Sequence, residues 1–280
     1  MDIRYSANPG DFKRYTTKEI RDEFLIEELF VADKIISVYS HVDRMVIMGC
    51  MPVASPVAID EGIDIWKAFG TRFFLENREI GIFNIGGAGE VCVDGKAYKL
   101  GYKDCLYIGR GGQDVTFIST EGKTPAKFYM ASAPAHKTYP TKLITIEAAA
   151  KTPIGAVETA SKRVINQFIH PAVLETCQLL MGLTELDEGS VWNTMPTHTH
   201  ERRMEIYMYF ELPEDQVAFH FMGEGTETRH VVLKREQAII NPSWSVHAGC
   251  GTSSYSFIWA MGGENKEFTD MDNIPSSDLR

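Results

Sequence analysis

Apolar residues near the start of the chain recur at helical spacing. Ile20, Phe24, Leu25 and Leu29 fall on or near one face, and Thr16-x-x-Glu19 ahead of them has the form of a capping box, so the pattern predicts a helix. From residue 34 the period changes. The runs "KIISVYS" and "RMVIMGCMPV" are rich in branched residues, and "EVCVDGKAYKL" places Asp94-Gly95 between two short strands, a strong hairpin signal. "DCLYIGR", "DVTFIST" and "AKFYMASAP" continue the series. Residues 136–168 break it with "HKTYPTK", "EAAAKTP" and "ETASKR", a connection that includes a short helical piece. Strands then resume with "CQLLMGLTEL", "EIYMYFEL", "QVAFHFMG", "HVVLKREQAII" and "SYSFIWAMGG". Many short strands broken by Gly, Pro and Asp turns predict an all-β sandwich or barrel with minor helix, not βαβ units.

The two β-rich halves echo each other. "TRFFLENREIGIFNIGG" can be laid over "THTHERRMEIYMYF", which sets Arg72, Phe74 and Glu79 against His198, His200 and Glu205. "DCLYIGRGGQDVTF" matches "EQAIINPSWSVHAG" in the same loose way. The expectation is a barrel over 1–140 without metal ligands, a connection over 141–168 and a metal-binding barrel over 169–280.

Composition changes this picture only by exclusion. A length of 280 residues, 44% hydrophobic and 24% charged, is that of an ordinary globular chain with room for two cores. The net charge of −10 argues against nucleic acid and anionic membrane as partners. "IGGAGE" and "GRGGQD" lack the strand–loop–helix context of a phosphate cradle and read as turns. Five scattered cysteines, none spaced C-x-x-C, fit neither a disulfide framework nor a thiolate zinc site. The polar opening "MDIRYSANPGDFKRY" is unlike a signal peptide, and no apolar run approaches the ~18 residues of a membrane span, so a reducing cytoplasm is expected.

Chemistry concentrates in "NTMPTHTHERRMEIYMYF". Side chains alternate along a strand, so His198 and His200 point to one side and can reach one ion. Glu205 lies an odd five residues beyond His200, so a turn or bulge within "ERRM" is needed to bring it round. His247, in "NPSWSVHAGCG", offers a third imidazole. Three imidazoles and a carboxylate suit Zn, Fe, Mn, Co or Ni. Two histidines on a solvated loop would share the spacing, but the adjoining strand and Pro242-x(4)-His247 favour metal. Tyr207 and Tyr209 share an alternation face with Glu205, although core packing is the commoner role of such tyrosines. His220 and His230 read as structural, His41, His136 and His170 fall outside any ligand pattern, and no general base stands out.

His198-x-His200-x(4)-Glu205 and Pro242-x-Trp244-x(2)-His247 resemble the two motifs of the cupin superfamily, with Trp244 at a glycine position and Gly189 further upstream than the motif asks. Longer stretches narrow the likeness: "QFIHPAVLETCQLLMGLTEL", "NPSWSVHAGCGT", "FIWAMGGEN", "DMDNIPSSDLR" and the opening "MDIRYSANP" resemble the 5-keto-4-deoxyuronate isomerases of pectin breakdown across essentially the whole chain. The resemblance implies a bicupin of two tandem jelly-roll barrels, a zinc ion, a homo-hexamer, and interconversion of 5-dehydro-4-deoxy-D-glucuronate and 3-deoxy-D-glycero-2,5-hexodiulosonate. Four protein ligands would close a tetrahedral zinc site, so a catalytic ion there must expand its coordination or release a ligand. Such an isomerisation proceeds by proton transfer through an enediolate or by hydride shift, and the sequence leaves both open. A substrate carboxylate calls for arginine, and Arg163, Arg202 and Arg203 lie near the key motifs. The ligand pattern alone also admits a cupin Fe(II) oxygenase or a non-catalytic sugar-acid-binding cupin.

Overall fold

The computed structural model describes residues 1–121 and 123–280. They divide into two compact units, one of residues 1–4, 28–149 and 168–180, the other of residues 5–27, 150–167 and 181–280.

In the first unit a seven-stranded sheet runs, in spatial order, Asp2–Arg4, Ile35–Ser40, Val46–Cys50, Phe128–Pro134, Arg78–Asn84, Cys105–Ile108 and Lys142–Ile144. A four-stranded sheet of Val57–Ala58, Val115–Ser119, Gly89–Val93 and Lys96–Leu100 accompanies it. Val46, Met48, Ile80, Ile82, Val91 and Phe117 are among the side chains of the unit's core. Each such side chain, fully buried, contributes about 1.5–3 kcal/mol. The Asp94-Gly95 signal is realised: both residues have positive φ, 49° and 80°, and Val93 pairs with Lys96 across a two-residue hairpin.

The second unit repeats the plan. Its larger sheet runs Ala150–Ile154, Arg163–Ile169, Leu180–Leu186, Ser256–Gly263, Arg203–Phe210, Gln237–Asn241 and Leu25–Ile26. Its smaller sheet runs Trp192–Asn193, Ala248–Gly251, Ala218–Glu224 and Glu227–Leu233. The order of the core strands matches that of the first unit, so the repeat read from the sequence is a repeat of topology. Double-sheet barrels of this kind satisfy their strand edges largely internally.

Three expectations are redrawn. The capping box is present at Thr16 and Glu19, but the helix is only Thr17–Phe24. Leu25 instead pairs with Ile239, because the chain straightens to close the edge of the second unit's larger sheet. Residues 5–27 therefore belong with the second unit. Residues 141–168 are not a plain connection: they contain the strand Lys142–Ile144, the strand Ala150–Ile154 and most of Arg163–Ile169. "EAAAK" is not a helical piece: its first three residues, Glu147, Ala148 and Ala149, form a turn and bend, and Ala150 and Lys151 open the edge strand Ala150–Ile154, where Pro153 is tolerated. Finally, "HVVLKREQAII" is broken after Leu233 by a turn in which Glu236 has a φ of 65°, and its two parts join different sheets.

Candidate metal centre and its cavity

All four expected ligands come together in the second unit. His198 lies in the two-residue strand His198–Thr199, which pairs with Asp272–Asn273. A turn at Glu201 and Arg202 then reverses the odd spacing, as the pattern required. Glu205 emerges on the central strand Arg203–Phe210, opposite Met261 on one side and Asn241 on the other. His247 follows a turn in which the Ser245 amide donates to the Pro242 carbonyl at 2.9 Å. At the turn's tip Trp244 packs edge-on against Phe12 and Phe24, at centroid distances of 5.3 and 6.5 Å. The tryptophan at the motif's glycine position thus anchors the short N-terminal helices.

One ligand atom from each residue lies within 4.8 Å of the others, so the cluster can hold a metal ion. The proton positions favour one. His200 Nδ1 is 2.8 Å from the Arg203 carbonyl, which only accepts, so the proton sits on Nδ1 and Nε2 presents a lone pair. That lone pair faces Glu205 Oε2 at 3.2 Å. His247 Nδ1 lies 3.3 Å from the Ser245 carbonyl, and its Nε2 is 2.9 Å from Glu205 Oε2 and 3.1 Å from His198 Nε2. Acceptors converging at such distances repel unless a cation lies among them, and ring nitrogens fixed by carbonyls are the usual support of imidazole ligands. Burial, followed by the neighbouring His247, lowers the His198 pKa to about 3, keeping that ring neutral. Burial works to raise the Glu205 carboxyl, but positive charge at His247 and hydrogen bonds donated by His200 and His247, the part a bound cation would take over from their protons, outweigh it and hold the group below the usual carboxylate range.

A cavity of about 340 Å³ opens onto this cluster and is lined by His198, His200 and Glu205. Its walls are mainly apolar, with Ile165, Phe257, Trp259, Met261 and Phe268 among them. Tyr207 also faces it, with its hydroxyl 3.0 Å from that of Thr194. Burial, and then the Glu205 charge, keep this phenol neutral by raising its pKa well above the ordinary value. Thr194 is a β-branched residue at a φ of 50°, an uncommon strain beside a site.

The three arginines separate. Arg202 grips Asp270 through two nitrogens at 3.0 and 2.5 Å and reaches Asp272 at 3.2 Å. Arg203 lines the cavity, yet Nη1 donates to Asn265 Oδ1 at 2.9 Å and Nη2 reaches the Asp270 carbonyl at 3.3 Å. Both therefore hold segment 264–273, whose Phe268, Met271 and Asn273 complete the cavity wall. Arg163 also lines the cavity, and its Nη1 donates to the Ser161 carbonyl at 2.7 Å.

His220 is fully buried and bonded at both ring nitrogens, to Tyr209 Oη at 2.8 Å and Asn241 Oδ1 at 2.7 Å, as befits a structural histidine. Asn193 donates to Tyr255 Oη at 2.6 Å alongside this chain. The sequence reading missed Thr194, Asn193, Asn241 and segment 264–273. Their roles come from sheet register and from a return of the chain some 70 residues after His200, which no local pattern encodes.

The model of the KduI/IolB family matches residues 66–276. The chain is 52% identical over 280 residues, the whole of both sequences, to the 4-deoxy-L-threo-5-hexosulose-uronate ketol-isomerase of Enterobacter sp. (strain 638). It is 51% identical, again over the whole of both, to the protein of the same name from Escherichia coli (strain SE11). Among solved structures, an IolB-like protein from Salmonella typhimurium LT2 superposes with a TM-score of 0.67 at 11% identity, covering 82% of this chain and 87% of that one. Bacillus subtilis oxalate decarboxylase, a protein with Mn(II) centres, does so with a TM-score of 0.53 at 10% identity, covering 81% and 71%. At these identities the structural likeness concerns the fold alone.

Proposed function

The chain belongs to the KduI/IolB family, and from that premise we propose that its second barrel is a metal-dependent ketol isomerase site for 4-deoxy-L-threo-5-hexosulose uronate, the 5-dehydro-4-deoxy-D-glucuronate of uronate degradation. The observation that carries this reading is the convergence of His198, His200, Glu205 and His247 at the wall of an apolar cavity. The substrate's name fixes its chemistry: an aldehyde at C1, hydroxyls at C2 and C3, a methylene at C4, a ketone at C5 and a carboxylate at C6. Ketol isomerisation exchanges the aldehyde and hydroxyl oxidation levels of C1 and C2, moving hydrogen from C2 to C1.

The four residues would hold a divalent ion, for which we propose zinc, and such an ion acts as a Lewis acid toward negative charge developing on the substrate's oxygens, an effect worth several kcal/mol. Opening of the cavity onto three of the ligands supports an expanded, catalytic coordination over a closed structural one. The chain's own side chains supply the rest. Phe257, Trp259 and Phe268 limit water, which strengthens every polar contact within. Tyr207, neutral and held by Thr194, offers a hydrogen bond to a substrate oxygen.

On the same family resemblance we propose a homo-hexamer, to be checked by light scattering. A reducing cytoplasm is proposed as its location, supported by five cysteines that are all free. No helix among the described residues is long and apolar enough to cross a membrane.

The test compares isomerisation of the uronate by enzyme as isolated, stripped by chelator with its fold verified by circular dichroism, and reloaded with one metal at a time. Activity lost from a folded apoprotein and restored by metal is the expected result. Full activity without metal would make the ion structural, and absence of turnover in every form would overturn the isomerase.

A further inference from the structure

Arg163 is the charged group in the cavity that the metal cluster leaves unexplained. It lies on the strand Arg163–Ile169 with Ile165 two residues on and on the same face, opposite Ile154 of the edge strand. All three residues line the cavity. Arg202 is neutralised by Asp270 and Asp272, and Arg203 has Asp270 at 3.6 Å. Arg163, among the described residues, has no carboxylate within ion-pairing distance, and its hydrogen bond to the Ser161 carbonyl uses one nitrogen, Nη1, of the guanidinium. Burial lowers its pKa from the ordinary value, with Tyr207 and Tyr255 opposing, the signature of a cation partly removed from water without a counter-ion. In a chain with a net charge of −10, an unpaired cation held in an apolar cavity is costly unless an anion joins it.

We propose that Arg163 binds the C6 carboxylate of the uronate and thereby sets the direction in which the substrate enters, with C1 and C2 toward the cluster of His198, His200 and Glu205. The inference rests on the isomerase reading above for the identity of the substrate, but not for the preference for an anion. The planar fork of arginine can engage both oxygens of a carboxylate, and in a water-poor cavity such a pair is worth more than at a surface. Arg163 would therefore discriminate uronates from neutral sugars of the same length. The reacting end and the recognised end of the substrate lie at opposite ends of its carbon chain, so binding at C6 aligns C1 and C2 without touching them.

The experiment measures binding to the metal-loaded enzyme by calorimetry, using the uronate reduced at its carbonyls, which cannot isomerise, and the C6 amide of the same compound. The wild-type enzyme is expected to bind the carboxylate at least tenfold more tightly than the amide. Arg163→Gln should bind the two alike, and Arg163→Lys, which keeps charge but loses the fork, should fall between. In turnover, Arg163→Gln should raise KM at least tenfold with a smaller change in kcat and an unchanged metal content. A merely structural role would lower metal content or kcat and leave the ratio of carboxylate to amide binding intact. Retention of the preference in Arg163→Gln, or its absence in the wild type, overturns the proposal. A wild-type enzyme that prefers the carboxylate through Arg163 yet never isomerises the uronate would instead overturn the isomerase assignment alone.

Discussion

Glu79 and Glu205 occupy matching strands of the two larger sheets, and the same side chain has been put to different uses. Where Glu205 meets imidazoles, Glu79 accepts four hydrogen bonds: from Tyr107 Oη at 2.7 Å and from the amides of Cys177, Gln178 and Leu179 at 2.9, 2.8 and 2.8 Å. It is wholly buried. Glu79→Gln would turn an amide group toward donors that need acceptors, and hydrogen bonds to a buried charge are worth roughly 1.5–3 kcal/mol each. The expected loss is about 2–4 kcal/mol in urea unfolding with kcat unchanged; a loss within about 0.5 kcal/mol would show that the carboxylate is dispensable to the first unit. At this scale the sequence was informative about ligands, because period-two alternation and one intervening turn suffice to bring His198, His200 and Glu205 together. It was uninformative about which arginine is free. Arg163, Arg202 and Arg203 look alike in sequence, and only Asp270, 68 residues beyond Arg202, separates them.

Among elements, the return of segment 264–273 matters most to the site. Its strand Asp272–Asn273 pairs with the strand that carries His198, and Asp270 is the clasp between them. Hydrogen bonds from Arg202 and then Asn265 hold the Asp270 carboxyl at about 2, below its ordinary value of 3.8. A carboxyl depressed by folding contributes stability that is complete above its unfolded value and is lost as pH falls toward its folded value. The melting temperature of the wild type should accordingly fall more steeply than that of Asp270→Asn as the pH drops from about 4 to about 2, the two running parallel near neutrality. Parallel curves throughout would mean the clasp carries no linkage. Loosening a support of His198 should also weaken metal binding roughly tenfold, read by competition with a chromophoric chelator. Local chemistry was legible here where it was self-contained: the Asp94-Gly95 hairpin and the Thr16–Glu19 box both formed. The break within "HVVLKREQAII" and the strands of 141–168 were not legible, since each depends on a sheet edge that another segment provides.

Across the whole molecule, the same strand order is built twice, and among the described residues the cluster of donors that could hold an ion lies in the second copy. At the matching positions the first unit has Arg72, Phe74, Glu79 and, from the second alignment, Val115 in place of His247. Phe74 and Val115 lie in that unit's hydrophobic core, so its fold needs no metal. The second unit keeps an extensive apolar core of its own, including Ile206, Met208, Leu183 and Ile258, so removing the ion should leave it folded but locally loosened. An ion that binds only the folded state stabilises it by about 2.7 kcal/mol at one hundred times its dissociation constant. Hydrogen exchange with and without chelator locates that stabilisation. Amides of 198–205, 247–251 and 272–273 should lose protection, while those of Arg78–Asn84 and Phe128–Pro134 should exchange as before. Equal loss in both units would mean that the ion supports the fold of the entire chain. Loss restricted to the second would establish that one barrel serves as scaffold while its repeat, with the same strand order, supplies the chemistry.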